Sequence, residues 1–196
     1  MMSKTIFPLK IFSIGITGTY AAGKDTVADY LVDNYNFYHL SLSDIIRDEA
    51  DKRGLPHSRD VLISLGREIR EKFGEGELAK RAAQKAAELG VDRVVITSIR
   101  HPHEVETLRR LFEKFFLWAI DAPRQMRFAR AKARGKLADQ VDFGTFAKQE
   151  ESEMATSGPG QQLGRCISLA NVTIDNSGSL ADLYKKIDDI LQTIIN

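Results

Sequence analysis

Apolar residues along this chain fall into two periods. Residues 11–17, IFSIGIT, residues 93–99, RVVITSI, and residues 115–120, FFLWAI, are short, nearly continuous runs rich in β-branched and aromatic side chains. Strands covered by helices on both faces read this way, as runs instead of alternations. A short strand, VTID at 172–175, and another over 37–40 bring the candidates to five. Between them, apolar positions recur at helical spacing. Val27, Ala28, Leu31 and Val32 follow Lys24, and Leu180, Leu183, Ile187, Ile190, Leu191 and Ile194 share a face of a closing helix over 179–195. Further helices are expected over 43–53 with Ser43 as N-cap, and over 58–73 and 75–89, broken by Gly74 and Gly76. Others are expected over 102–112, from Pro123 to Arg134 and over 145–155, whereas 156–164, TSGPGQQLG, reads as a turn.

Strands alternating with helices predict an α/β architecture with a five-stranded parallel sheet between helical layers. Ligands of such sheets bind beyond the carboxyl ends of the strands. That rule selects residues 18–26, 97–104 and 175–178. Trp118, on the third long run, reads as core.

The 196 residues suit one domain, and no linker or repeat divides them. One cysteine, Cys166, excludes an internal disulfide and fits a reducing compartment. No apolar run is long enough for a membrane span. The N-terminal MMSKTIFPLKIFSIGITG lacks the continuous apolar core and cleavage site of a signal peptide, so a cytoplasmic protein with no membrane partner is expected. The formal charge of +1 argues against a general nucleic-acid binder. It conceals one strong local feature: residues 121–136, DAPRQMRFARAKARGK, carry six Lys+Arg against one Asp.

Gly18-Thr19-Tyr20-Ala21-Ala22-Gly23-Lys24 satisfies the first seven positions of the phosphate-binding loop, between a buried strand and an amphipathic helix. Glycines let successive N–H groups face one anion, the helix N-terminus adds partial positive charge, and Lys24 reaches the outer phosphates. The next residue is Asp25 where a hydroxyl is usual, and Thr26 follows. Mg²⁺ is therefore expected mainly on phosphate oxygens and water, with Asp25 or Thr26 as candidate contacts. Asp25 otherwise caps the helix. The dinucleotide-binding pattern is excluded, because Gly15, Gly18 and Gly23 are spaced incorrectly for it.

The 93–99 strand ends in Thr97 and Ser98, with no carboxylate to activate water, which favours transfer to a bound acceptor over hydrolysis. Two polyanions brought together need cationic forks between them. Arg47 lies one turn after Ser43-Asp44, Arg67 and Arg70 lie three apart on the next helix, and Arg100 directly follows a strand. Arg127, Arg130 and Arg134 repeat at helical spacing without interspersed acids, as a lid helix would. Asp44 is a candidate to orient a hydroxyl, and His101 is a candidate acceptor contact. His101 and His103 also have ligand-like spacing, but the sequence alone does not complete a four-ligand metal set. Tyr20 either touches the acceptor or covers the loop.

These segments resemble the P-loop nucleoside and nucleotide kinases, within them the adenylate kinase-like and dephospho-CoA kinase-like branch. SIGITGTYAAGKDTVADYL resembles the opening strand, loop and helix, although Ala21 and Ala22 stand where an internal glycine is usual. LSLSDIIRDEA is similar to the acceptor-phosphate segment, VVITSIRHPHEVETLR to the segment whose arginine bridges both phosphates, and IDAPRQMRFARAKAR to the strand leading into the lid. ANVTIDNSGSLADLYKKIDDIL looks like the C-terminal segment whose loop, containing Asn176, lies beside the donor adenine. The resemblance implies a three-layer P-loop NTPase fold over residues 1–196, with an acceptor region at about 41–90 and a short helical lid at about 124–155. It implies ATP and Mg²⁺ as cofactors, donor binding by Gly18 to Thr26 and Asn176, and catalytic roles for Lys24, Arg100, Arg130 and Arg134. Acceptor binding would fall to Asp44, Arg47, Arg67, Arg70, Arg100 and His101. The expected acceptor is a nucleoside or deoxynucleoside monophosphate, with dephospho-CoA as the alternative acceptor and, as a further alternative, a nucleotide-binding NTPase or interaction module without small-molecule kinase activity. A monomer or homodimer is expected.

Overall fold

The β-branched run at the start of the chain forms β1 (Leu9–Gly18), the centre of a sheet ordered β2-β3-β1-β4-β5. The computed structural model describes residues 8–135, 141–154 and 161–195. β2 (Tyr38–Ser41), β3 (Arg93–Thr97), β4 (Phe112–Asp121) and β5 (Val172–Asp175) all run parallel to their neighbours. The parallel order requires a helical crossover between consecutive strands, and the sequence supplies one each time.

Alternation along a doubly covered strand divides the core in two. Val94 and Ile96 join Leu65, Ile69, Leu78 and Leu108 on one face of the sheet, whereas Val95 joins Val27, Leu31, Leu183 and Ile187 on the other. The second face is therefore covered by α1 (Lys24–Tyr35) and α9 (Leu180–Ile195). The first is covered by α2 (Leu42–Lys52), α3 (Arg59–Phe73), α4 (Glu77–Leu89) and α5 (Pro102–Leu111). Leu78, Ala79, Ala82, Ala83 and Ala86 are buried on α4, and the alanines let it lie close against α5 and α2. Trp118 is only 1% exposed and belongs to the core, as its strand position implies.

Past β4 come α6 (Arg124–Arg134), α7 (Phe143–Glu153) and α8 (Leu163–Ser168). The sequence pattern contains no trace of α8, which is one and a half turns long and begins inside the expected turn. Residues 156–160 of that turn lie outside the described residues, as do 136–140 and 155 of the expected lid. α2 also begins earlier than expected: Ser41, in an extended conformation, is its N-cap, and Ser43 is already helical. No described helix is long and apolar enough to cross a membrane.

Candidate active site

The loop after β1 is shaped by contacts that leave no room for side chains. A Cβ on Gly18 would stand 2.0 Å from the Ile120 carbonyl oxygen, and its φ of +132° lies where L-residues rarely go. Gly23, at φ +97°, would place a Cβ 2.3 Å from the Asn176 amide nitrogen. Ala21 occupies the left-handed region at φ +58°, the conformation for which a glycine is the usual occupant. The loop is braced from behind. Asn176 donates to the Ala22 carbonyl at 2.8 Å, Thr19 donates to Asp121 at 2.6 Å, and Thr17 donates to the Ile99 carbonyl at 2.9 Å.

Lys24 curls back into this cradle, its Nζ donating to the Gly18 and Thr19 carbonyls at 3.0 and 2.6 Å. Burial, and then the nearby Arg100 charge, push its ammonium down to about 8. An anion in the cradle would offset both effects.

A cavity of about 890 Å³ opens in front of the loop, beyond the carboxyl ends of β1, β2 and β3. Tyr20 through Thr26 form one wall, and Asp44, Arg47, Arg70, Arg100, Arg130 and Arg134 also line it. Leu42, Ile46, Leu62, Ile63 and Leu78 add an apolar stretch beside Arg47 and Arg70. Ser98, held at φ +63°, joins Ser41 and Ser43 in a triangle of hydroxyls with edges of 2.8 to 3.3 Å. Arg47 donates to Ser43 at 3.0 Å and pairs with Asp44 at 2.5 Å.

The residues fit a polyphosphate. Arg130 lines the cavity together with Lys24 and Arg100, and its Nη1 is buried without a hydrogen-bond partner. An unsatisfied buried guanidinium nitrogen is costly, and a phosphate oxygen would satisfy it.

A family model described as AAA domain matches residues 17–143. A UPF0200 protein of Methanothermobacter thermautotrophicus is 30% identical over 181 residues, which cover 92% of this chain and 90% of that protein. Another, from Methanocaldococcus jannaschii, is 31% identical over 93% of this chain and 90% of that protein. The chain belongs to the UPF0200 family. TT1252 from Thermus thermophilus superposes with a TM-score of 0.63 at 20% identity, over 94% of this chain and 98% of that one. The shikimate kinase of Bacteroides thetaiotaomicron gives 0.61 at 13% identity, over 94% and 99%. The UPF0200 chain therefore has the α/β fold of the small-molecule P-loop kinases.

Within that fold, some residues singled out from the sequence separate. Of Arg67 and Arg70, three apart on α3, only Arg70 lines the cavity: Arg67 is exposed and away from the lining. Arg70 is 6% exposed and donates through Nε and Nη2 to Glu104 at 3.1 and 2.8 Å. His101 is fully buried off the cavity and caps α5, accepting from the His103 N–H while Glu104 accepts from the His101 N–H. Burial lowers its pKa below the usual histidine value. Asn176 lies behind the loop as its brace and outside the cavity lining. Gly18 and Thr19 are also absent from that lining, whereas Asp25 and Thr26 are in it, and Gly23, not Asp25, occupies the N-cap position.

The arginine stripe of α6 also divides. Arg127 is buried, pairs with Glu150 and donates to the Ala122 carbonyl at 2.7 Å, so it braces α6 against α7. Arg130 faces the cavity, and Arg134 donates to the Tyr20 hydroxyl at 2.8 Å. The acids missing from α6 come from α7. Glu150 pairs with Arg124 at 2.5 Å as well, and Glu153 lies 2.5 Å from Arg59 and 3.7 Å from Arg100.

Arg59 and Glu153 line the cavity and had no signal in the sequence, because their relation spans 94 positions. Arg59 and Arg134 lie 5.5 and 5.3 Å from the centre of the Tyr20 ring, so Tyr20 links the loop to α3 and α6. Cys166 is buried, and burial pushes its thiol up to about 12, so it offers no nucleophile at neutral pH.

Proposed function

We propose that this UPF0200 protein is an ATP-dependent phosphotransferase acting on a small phosphorylated acceptor, foremost a nucleoside or deoxynucleoside monophosphate. One observation carries the reading. A single cavity brings the loop cradle and Lys24 together with Arg47, Arg70, Arg100 and Arg130, and continues into an apolar wall. Cations beside apolar side chains suit an acceptor with both a phosphate and a base, in the manner of the adenylate kinase-like branch.

In this account the loop N–H groups and Lys24 hold the donor phosphates. Arg47 and Arg70, the latter oriented by Glu104, hold the acceptor phosphate. Arg100 stands between the two, and Arg130 and Arg134 stabilise charge on the transferring group from the lid side. α6 and α7 are the proposed lid, and residues 41–90 the acceptor region. Mg²⁺, for which Asp25 or Thr26 would be the candidate protein contacts, would supply charge neutralisation on the donor. Positioning and electrostatics carry catalysis, since phosphoryl transfer asks little covalent work of the protein.

A second reading, dephospho-CoA as acceptor, draws support from Asp44 and the Ser41–Ser43–Ser98 triangle, which could orient a sugar hydroxyl. Incubation with MgATP and a panel of nucleoside monophosphates and dephospho-CoA, read by product mass, tests both. A diphosphate product supports the first reading and a product from dephospho-CoA the second. ADP formed at the same rate without any acceptor refutes phosphotransfer in favour of a nucleotide-hydrolysing module.

A further inference from the structure

A phosphate cradle asks only for small residues and backbone N–H groups, yet Tyr20 sets a half-buried aromatic ring inside this loop. We propose that Tyr20 is a positioning residue that holds Arg59 and Arg134 beside the cradle, so that Arg59 joins the cations contacting the phosphate chain, a role that rests on the phosphotransfer reading above. Three helices meet the loop at this one side chain. The guanidinium of Arg59, the first residue of α3, lies 5.5 Å from the centre of the ring. That of Arg134, the last residue of α6, lies 5.3 Å from it, and its Nη2 donates to the Tyr20 hydroxyl at 2.8 Å. Both distances fall within the reach of about 6 Å over which a ring attracts a cation. Phe146 of α7 packs against the same ring, with centroids 5.9 Å apart. The Tyr20 carbonyl accepts from Arg127 Nη1 at 3.2 Å, which fixes the backbone from which the ring projects. The acceptor region and both helices of the proposed lid are thereby gathered on the loop.

Charge explains what a ring adds here. Tyr20, Arg59 and Arg134 line the cavity together with Lys24, Arg100 and Arg130. Cations so crowded repel one another, and long side chains left free turn toward water. Glu153 restrains Arg59 at 2.5 Å and stands 3.7 Å from Arg100. A further carboxylate would cancel the positive charge that a phosphate chain needs. The π face of Tyr20 holds a guanidinium while carrying no net charge, so the cation stays available. The Arg59 side chain is 33% exposed, which leaves it open to a ligand in the cavity. Ordering two flexible arginines beforehand removes that cost from the binding of the phosphates and from their transfer.

The full chain is titrated by calorimetry with adenosine 5′-tetraphosphate and Mg²⁺ at low salt, a probe that extends one phosphate beyond ATP and needs no turnover. Tyr20→Leu should weaken binding at least about tenfold, whereas Tyr20→Phe, which keeps the ring and loses one hydrogen bond, should stay within about threefold of wild type. Arg59→Ala should weaken binding at least about threefold in the wild-type chain and less than about twofold on top of Tyr20→Leu, because the ring acts through that arginine. Both Tyr20 variants should melt within a few degrees of wild type. Unchanged affinity in Tyr20→Leu overturns the role. Fully additive losses from Tyr20→Leu and Arg59→Ala also overturn it, since the ring would then only shape the loop. Transfer is read separately with the acceptor panel: a wild-type chain that transfers to no acceptor refutes the kinase reading, while the binding ratios still decide the role of Tyr20.

Discussion

Glu104→Ala should be among the most damaging single changes in this protein. The Glu104 side chain is fully buried, and each of its oxygens does separate work. Oε1 accepts both Arg70 bonds, and Oε2 accepts the Arg100 and His101 N–H groups. Removing one partner of a buried ion pair costs about 3–5 kcal/mol. Leaving a buried N–H without an acceptor adds about 1–3 kcal/mol. Arg70 also lines the cavity, where water can reach it, so part of the first cost is recovered and a net loss of about 4 kcal/mol follows. With a urea slope of about 2 kcal/mol per molar, the unfolding midpoint should fall by about 2 M. Glu104→Gln keeps an acceptor oxygen and should lose roughly half as much. Equilibrium urea unfolding followed by circular dichroism measures both. A midpoint shift below about 0.5 M for Glu104→Ala would show that the pair does not organise this region.

Two further outcomes follow from the loop. Lys24, held down to about 8 by burial and by the Arg100 charge, must be protonated when it meets a polyphosphate. ATP affinity should therefore be constant below that pH and weaken as pH rises through it, approaching about tenfold per unit, with proton uptake. Calorimetry in buffers of different ionisation enthalpy reads that uptake, which Lys24→Arg should abolish; a flat profile to pH 9.5 in the wild type would contradict the assignment. Gly18→Ala sets a Cβ against the fixed Ile120 carbonyl at 2.0 Å, with φ at +132°. It should cost at least about 3 kcal/mol in urea unfolding, and a loss under 1 kcal/mol would mean that the loop yields.

Features encoded locally were visible before the structure. The glycines and Lys24 of the loop lie within seven consecutive residues, and Arg100 comes shortly after the end of β3 at Thr97, so strand direction places it at the ligand end of the sheet. Features that depend on distant pairing were not. Arg70 looks like a free cation until Glu104, 34 positions on, is seen to hold it. The α6 stripe looks unpaired because its acids sit on α7, and Arg127 turns out to be an internal brace. α8, at six residues, is too short for helical periodicity to register. Ala21 shows the reverse case, a residue type that gives no hint of the left-handed conformation it adopts.

The most direct test of the central claim follows the fate of the γ-phosphoryl group. Purified protein is given γ-labelled ATP, Mg²⁺ and a nucleoside monophosphate, and label is counted in nucleoside diphosphate and in inorganic phosphate. The account predicts label in the diphosphate, ADP release dependent on the acceptor, and a loss of at least 100-fold, about 2.7 kcal/mol, in Lys24→Ala at unchanged fold. Label found only in inorganic phosphate, or transfer undiminished in Lys24→Ala, would contradict it.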